Sequence, residues 1–248
     1  MQSQPARFSV GSCQILLRQH FFDVPVAQPR HSRRAADGTG LKVWPTATPL
    51  LKHLQAMRSS LGRGRRGPLR VLELGSGCGL LGIGLAATCE DVEVVVTDPA
   101  LGVNFTDLES GSTLDWLRAN VELNRDAVGS RCSAAKLEWG NDEDIEKLLD
   151  TYTPFGGFDL LVGSDLLYDP DRYAALHATI SAFGARTILG YPTRHGSEKR
   201  FFNSAEPGWV VGPTWPLPAT STGGLAVTCL EPRSTHTWDE NGDIHGHA

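Results

Sequence analysis

The stretch Val71-Leu72-Glu73-Leu74-Gly75-Ser76-Gly77-Cys78-Gly79-Leu80-Leu81-Gly82 decides the fold. An apolar strand runs into a glycine-rich turn and straight on into a helix. Glycines at such a turn let the backbone pass close to a ligand, and the helix N-terminus behind it offers free N–H groups. The next apolar run ends at Asp98. An acid at the tip of the second strand is placed to grip ribose hydroxyls. A tight turn without a ligand would also use the glycines, but it would leave Asp98 without a task. The pattern points to a nucleoside-bearing cofactor.

Outward from this stretch, strands and helices alternate. Strands are expected at Arg70–Leu74, Val92–Thr97, Ser133–Glu138, Phe158–Gly163 and Thr187–Tyr191. Helices are expected at Thr46–Ser59, Cys78–Thr88, Thr113–Asn124, Asp142–Leu149 and Asp171–Phe183. This spacing implies βαβ units, so the fold class is α/β with a Rossmann-like, mostly parallel sheet and helices on both faces. Arg7–Val10 and Gln14–Gln19 read as a short N-terminal β-hairpin turning at Gly11-Ser12. Trp209–Val211 and Leu225–Leu230 read as a terminal antiparallel pair with a Pro/Ser/Thr/Gly-rich connection. The expected organisation is one domain over 1–248. Hairpin and loop occupy 1–45, the catalytic core 46–231 and a loosely held polar tail 232–248.

Composition narrows the class. A chain of 248 residues, 40% hydrophobic, can bury a full core. A net charge of -5 argues against a general nucleic-acid binder. Cys13, Cys78, Cys89, Cys132 and Cys229 are odd in number and lack a CxxC pair, which suggests reduced thiols in a cytosolic or nuclear compartment. No apolar run reaches membrane length, and no metal-ligand cluster stands out. The arginines between Arg58 and Arg70 read as a solvated loop, and His245-x-His247 as part of the tail.

Two cofactor readings compete over the glycines. Gly77-x-Gly79-x-x-Gly82 fits the dinucleotide fingerprint of nicotinamide or flavin enzymes. Glu73-x-Gly75-x-Gly77-x-Gly79 fits the motif of S-adenosylmethionine methyltransferases. Glu73 favours the second reading. It sits inside an otherwise apolar strand, where a carboxylate can organise the cationic methionine end of that cofactor.

A second segment, Ser164-Asp165-Leu166-Leu167-Tyr168, closes another expected strand. Its carboxyl end is where open α/β sheets place ligands. Asp165 can accept hydrogen bonds from an incoming amine, and Tyr168 offers an aromatic face and a hydroxyl. The competing reading makes Asp165 the cap of the following helix, with Tyr168 packed in its first turn.

With these pieces in place, the chain resembles the seven-β-strand protein-lysine methyltransferases of the methyltransferase-like family 21 type. The matching pieces are Gly40-Leu41-Lys42-Val43-Trp44-Pro45, the glycine turn, Thr97-Asp98 and Asn120-Val121-Glu122-Leu123-Asn124. Leu137-Glu138-Trp139-Gly140, the Asp165-to-Tyr168 motif, Tyr191-Pro192-Thr193-Arg194 and Phe201-Phe202 follow in the family's order. The resemblance implies a seven-stranded sheet and S-adenosyl-L-methionine as cofactor. It implies cofactor contacts at Trp44, Glu73, Gly75, Ser76, Gly77, Asp98, Trp139 and Ser164, with Asp165 and Tyr168 at the lysine channel. The implied partner is a non-histone protein, such as a translation factor or chaperone, met by a monomeric cytoplasmic or nuclear enzyme. A histidine- or small-amine-directed methyltransferase, an NAD-dependent oxidoreductase and a silent cofactor-binding partner protein are the rival readings. Leu166-Leu167 stands where base-directed amino-methyltransferases carry Pro-Pro, which disfavours base-flipping chemistry.

Overall fold

The computed structural model describes residues 4–19, 39–61, 67–103, 111–193, 196–204, 208–220, 223–233, 237–238 and 244–245. In chain order the first elements are β1 (Ala6–Val10), β2 (Cys13–Leu17), α1 (Ala47–Leu61), β3 (Leu69–Glu73), α2 (Leu80–Thr88) and β4 (Val92–Asp98). Next come β5 (Gly102–Val103), β6 (Gly111–Ser112), α3 (Thr113–Leu123), α4 (Arg125–Val128), β7 (Cys132–Lys136) and α5 (Asp142–Tyr152). The last are β8 (Leu160–Ser164), α6 (Tyr173–Phe183), β9 (Arg186–Pro192), α7 (Ser197–Asn203), β10 (Trp209–Thr220), β11 (Gly223–Pro232), β12 (Thr237–Trp238) and β13 (Ile244–His245).

The seven-stranded sheet has the order β10-β11-β9-β8-β3-β4-β7. Strands β3, β4, β7, β8 and β9 pair in parallel, while β11 runs antiparallel to β9 and β10 antiparallel to β11. The chain leaves β3 toward β4 and β7, then returns to β8 on its other side. That reversal creates the crevice at the strand carboxyl ends where open α/β sheets bind ligands.

Period-2 side chains divide the core into two layers. Val71, Val94, Val96, Val162 and Ile188 face Leu50, Leu54, Leu81, Ile83 and Leu117 of α1, α2 and α3. Leu72, Leu74, Val95, Leu161 and Leu189 face Ile145, Leu148, Leu176, Ile180 and Phe201 of α5, α6 and α7. Helices therefore cover both faces, as expected. Helix α2 is buried from Leu80 to Ala86. A helix apolar all round must be covered beyond its sheet face as well, and α1 and the β1–β2 hairpin supply that cover.

Two asparagines one helical turn apart lock the hairpin in place. The Asn124 side chain accepts from the Leu16 N–H (2.9 Å) and donates to the Leu16 carbonyl (2.7 Å). Asn120 accepts from the Arg18 N–H (2.8 Å) and donates to the Cys78 carbonyl (3.0 Å). Asn120 thus ties the hairpin to the glycine turn itself.

The structure corrects several boundaries. Helix α2 starts at Leu80, not Cys78, because Gly79 takes a left-handed conformation (φ 84°) at its N-cap. The last two strands run from Trp209 to Thr220 and from Gly223 to Pro232, so the Pro-rich connection is itself mostly strand. Prolines are tolerated there because β10 is a sheet edge and carries two register irregularities. Helix α7 and the β5–β6 ribbon had no clear periodicity in the sequence. The tail pairs as β12–β13 rather than lying wholly loose. Arg58 belongs to α1 and pairs with Asp91 at 2.6 Å, and Arg70 belongs to β3 and pairs with Glu93 at 3.5 Å, so neither is loop. Arg63, Arg65, Arg66, His247 and residues 28–38 of the loop expected over 28–40 lie outside the described residues, and Thr39–Leu41 forms a 3-10 turn.

Candidate active site

The carboxyl ends of β3, β4 and β8 open into one cleft, exposed to solvent on one side. Trp44, Glu73, Gly75, Ser76, Gly77, Asp98, Trp139, Ser164, Asp165 and Tyr168 all line it. Every residue singled out from the sequence therefore comes to one place.

Glu73 ends β3 at the cleft floor, only 2% exposed. Its Oε2 accepts the Gly82 N–H at 2.9 Å. Burial pushes its carboxyl up to about 8, with the Asp98 charge acting the same way and hydrogen bonds from Ser76 and Gly82 pulling against it. Gly82 must lack a side chain here. A Cβ would lie 2.4 Å from Val96 Cγ1 and 2.5 Å from Glu73 Oε2.

Asp98 closes β4 and is 5% exposed. Its Oδ2 accepts the Gly77 N–H at 3.0 Å, so it braces the turn from the second strand. Burial raises its carboxyl to about 6, opposed by the Thr113 hydroxyl and the Gly77 N–H. The Ser76 hydroxyl, expected at the cofactor, laces β3 to β4. It accepts the Thr97 N–H at 2.9 Å and lies 3.4 Å from the Glu73 carbonyl.

Trp139 follows β7 and lays its ring edge against the glycine turn. A Cβ on Gly75 (φ 57°) would sit 3.0 Å from its Cζ2 and 2.9 Å from Leu166 Cδ2. Among the described residues, the Trp139 Nε1 is buried without a hydrogen-bond partner. An unpaired buried donor costs about 1–3 kcal/mol, a cost that an acceptor-bearing ligand would remove. Trp44 is held at the other wall, its Nε1 donating to the Thr39 carbonyl at 2.8 Å.

Asp165 adopts φ 60°, the left-handed region, which Asp enters more readily than most residues. Its carboxylate accepts from the Thr46 N–H (3.1 Å) and the Thr46 hydroxyl (2.7 Å). Its own N–H donates to the Gly190 carbonyl at 2.9 Å. Asp165 does cap a helix, but it is α1, distant in sequence, and not the one that follows. The following 3-10 turn (Pro170–Arg172) takes Asp169 instead, which accepts the Asp171 N–H at 3.1 Å. Tyr168 is 56% exposed at the cleft mouth. The packed position in the next helix belongs to Tyr173, whose hydroxyl donates to the Leu167 carbonyl at 3.0 Å.

Sequence reasoning missed Thr46, the side-chain bridge of Asn120, and Lys42 and Arg172 over the two tryptophans. Thr46 carried a signal, since a threonine directly before an apolar helical run is an N-terminal mark. A floor of two buried carboxylates, a turn with glycine at every second position and an indole N–H unpaired among the described residues fit a nucleoside cofactor with a cationic tail. An exposed tyrosine beside an anchored aspartate gives the mouth a place for a cationic side chain.

The lysine methyltransferase family profile matches residues 30–207. Protein N-lysine methyltransferase METTL21A of Danio rerio is 30% identical over 168 residues, covering 66% of this chain and 66% of that protein. Calmodulin-lysine N-methyltransferase of Arabidopsis thaliana is 30% identical over 177 residues, covering 68% and 51%. Among solved structures, the METTL16 MTase domain superposes with a TM-score of 0.51 at 11% identity, over 77% of this chain and 70% of that one, a likeness of fold. The chain spans from 39% to 66% of the length of the first curated relatives it matches.

Proposed function

This chain belongs to the lysine methyltransferase family, and from that premise we propose that it transfers a methyl group from S-adenosyl-L-methionine to the side-chain amine of a lysine in a non-histone protein. One observation carries the reading. A single cleft joins Glu73, Asp98 and the unpartnered Trp139 indole to Asp165 and the exposed Tyr168 at its mouth.

The cofactor, when bound, supplies a methyl group on a sulfonium centre. Glu73 would hold the cationic amino-acid end, Asp98 and the backbone of Gly75 to Gly77 would receive the ribose, and Trp139 would stack on adenine. Trp44 and Ser164 wall the opposite side. A lysine amine carries a proton at neutral pH, with an ordinary pKa of about 10.4. Partial desolvation at the cleft would lower that value, and the proton would leave to water. Tyr168 receives the cationic head, and the Asp165 carboxylate, fixed by Thr46, orients the amine. Alignment of nucleophile and methyl group is then the main contribution.

The same proposal makes the chain one catalytic unit, monomeric, in the cytoplasm or nucleus, acting on a translation factor or chaperone. The cysteines support the compartment: all five are free thiols. Calorimetry tests the cofactor assignment. S-adenosylhomocysteine should bind the wild type and bind Asp98→Ala weakly or not at all. Binding of NAD in its place would overturn the reading.

A further inference from the structure

Two partly buried cations line the cleft, each over an aromatic ring. The Lys42 Nζ lies 3.8 Å from the Trp44 ring centroid, and the Arg172 guanidinium lies 5.6 Å from that of Trp139. Both line the cleft, and among the described residues they are its only cationic lining. Neither forms an ion pair among the described residues.

The acids of the same cleft are turned inward. Glu73 and Asp98 are 2% and 5% exposed, and the Asp165 carboxylate is bonded to Thr46. Asp169 and Asp171 flank Arg172 in sequence, but neither lines the cleft. Among the described residues, a chain of net charge -5 therefore sets two positive charges against this cleft. Stacking on the rings fixes where these cations sit and leaves N–H donors free for a carboxylate. At physiological salt such charges act over about 8 Å, far enough to reach the residues that flank a lysine inserted between them.

We propose that Lys42 and Arg172 select the substrate: the target lysine lies among aspartate or glutamate side chains, and a polybasic tail is rejected. This rests on the methyl-transfer reading above and adds the charge class of the substrate to it. A rim of this kind sets encounter rate and discrimination more than depth of binding.

The test uses the full chain with labelled S-adenosylmethionine in a cell lysate, with modified lysines mapped by mass spectrometry. Wild type should modify lysines that have carboxylates as their near neighbours. The Lys42→Glu, Arg172→Glu double variant should modify those sites about tenfold more slowly at low salt, as two rim pairs of about 0.7 kcal/mol each imply. The difference should shrink in about 0.5 M salt, where the screening length falls to roughly 4 Å. Modified lysines in neutral or basic surroundings would overturn the proposal, as would a double variant at the wild-type rate. Loss of S-adenosylhomocysteine binding in the double variant would overturn it too, because the cations would then hold the cofactor. If the wild type binds S-adenosylhomocysteine but modifies no protein, the methyl-transfer reading itself fails and this one falls with it.

Discussion

Glu73→Gln separates the charge of the cleft floor from its shape. The amide keeps the volume and can still accept the Gly82 N–H, which now bonds Oε2 at 2.9 Å. With its carboxyl raised to about 8 by burial, Glu73 is roughly nine-tenths protonated at pH 7 in the free protein. A cationic ligand end beside it favours the carboxylate, so binding at pH 7 should release about 0.9 proton. Affinity for S-adenosylhomocysteine should then rise about tenfold from pH 6 to pH 7. Asp98, raised only to about 6, adds less than about twofold over that interval. In Glu73→Gln the rise should shrink to the Asp98 part. A charge-assisted bond contributes about 1.5–3 kcal/mol, and deprotonation at pH 7 offsets about 1.4 kcal/mol of it. The variant therefore loses at most about fifteenfold at pH 7 and more at higher pH. Stability moves the opposite way. The folded value exceeds the ordinary 4.5, so the folded state holds more protons, and wild-type stability falls as pH climbs from about 4.5 to about 8. The variant should keep only the Asp98 part of that decline, which ends near pH 6. Calorimetry in buffers of different ionisation enthalpy, with urea titrations across the same pH range, reads both effects. Affinity independent of pH with no proton release would refute the reasoning.

Trp139→Ala should cost about 1–3 kcal/mol of S-adenosylhomocysteine affinity with the fold retained; global unfolding with affinity intact would mark Trp139 as core. Gly75→Ala should destabilise by about 1–3 kcal/mol in urea titration, since its φ is 57° and the new Cβ meets Trp139 and Leu166. Asp165→Ala should abolish methyl transfer while much cofactor binding survives, and wild-type turnover would reduce the residue to a cap for α1. Tyr168→Phe should keep more activity than Tyr168→Ala, measured as turnover on the identified protein, because the exposed ring meets the ammonium.

The chain's local signals and its long-range ones were not equally legible. The β3-turn-α2 unit reads directly because one apolar strand, positive-φ glycines and an apolar helix are contiguous. Glu73 and Asp98 stood out as acids against apolar runs, and both lie on the cleft floor. The partner of Asp165 did not. Thr46 is 119 residues away in sequence, and only the packing of α1 against the tips of β8 and β9 joins them. Asn120 and Asn124 look like ordinary polar positions on a helix, yet their side chains pair with the edge of the hairpin. The extent of β10 was hidden because prolines signal a break locally, whereas an edge position removes the need for their missing N–H.

The most direct test follows the methyl group to its atom. Proteins labelled by this chain from methyl-labelled S-adenosylmethionine are hydrolysed completely, and the labelled amino acid is identified by chromatography and mass spectrometry. The account predicts label in Nε-methylated lysine, absent when Asp98→Ala replaces the wild type. Label in methylhistidine, or in a small amine and no protein, would contradict it.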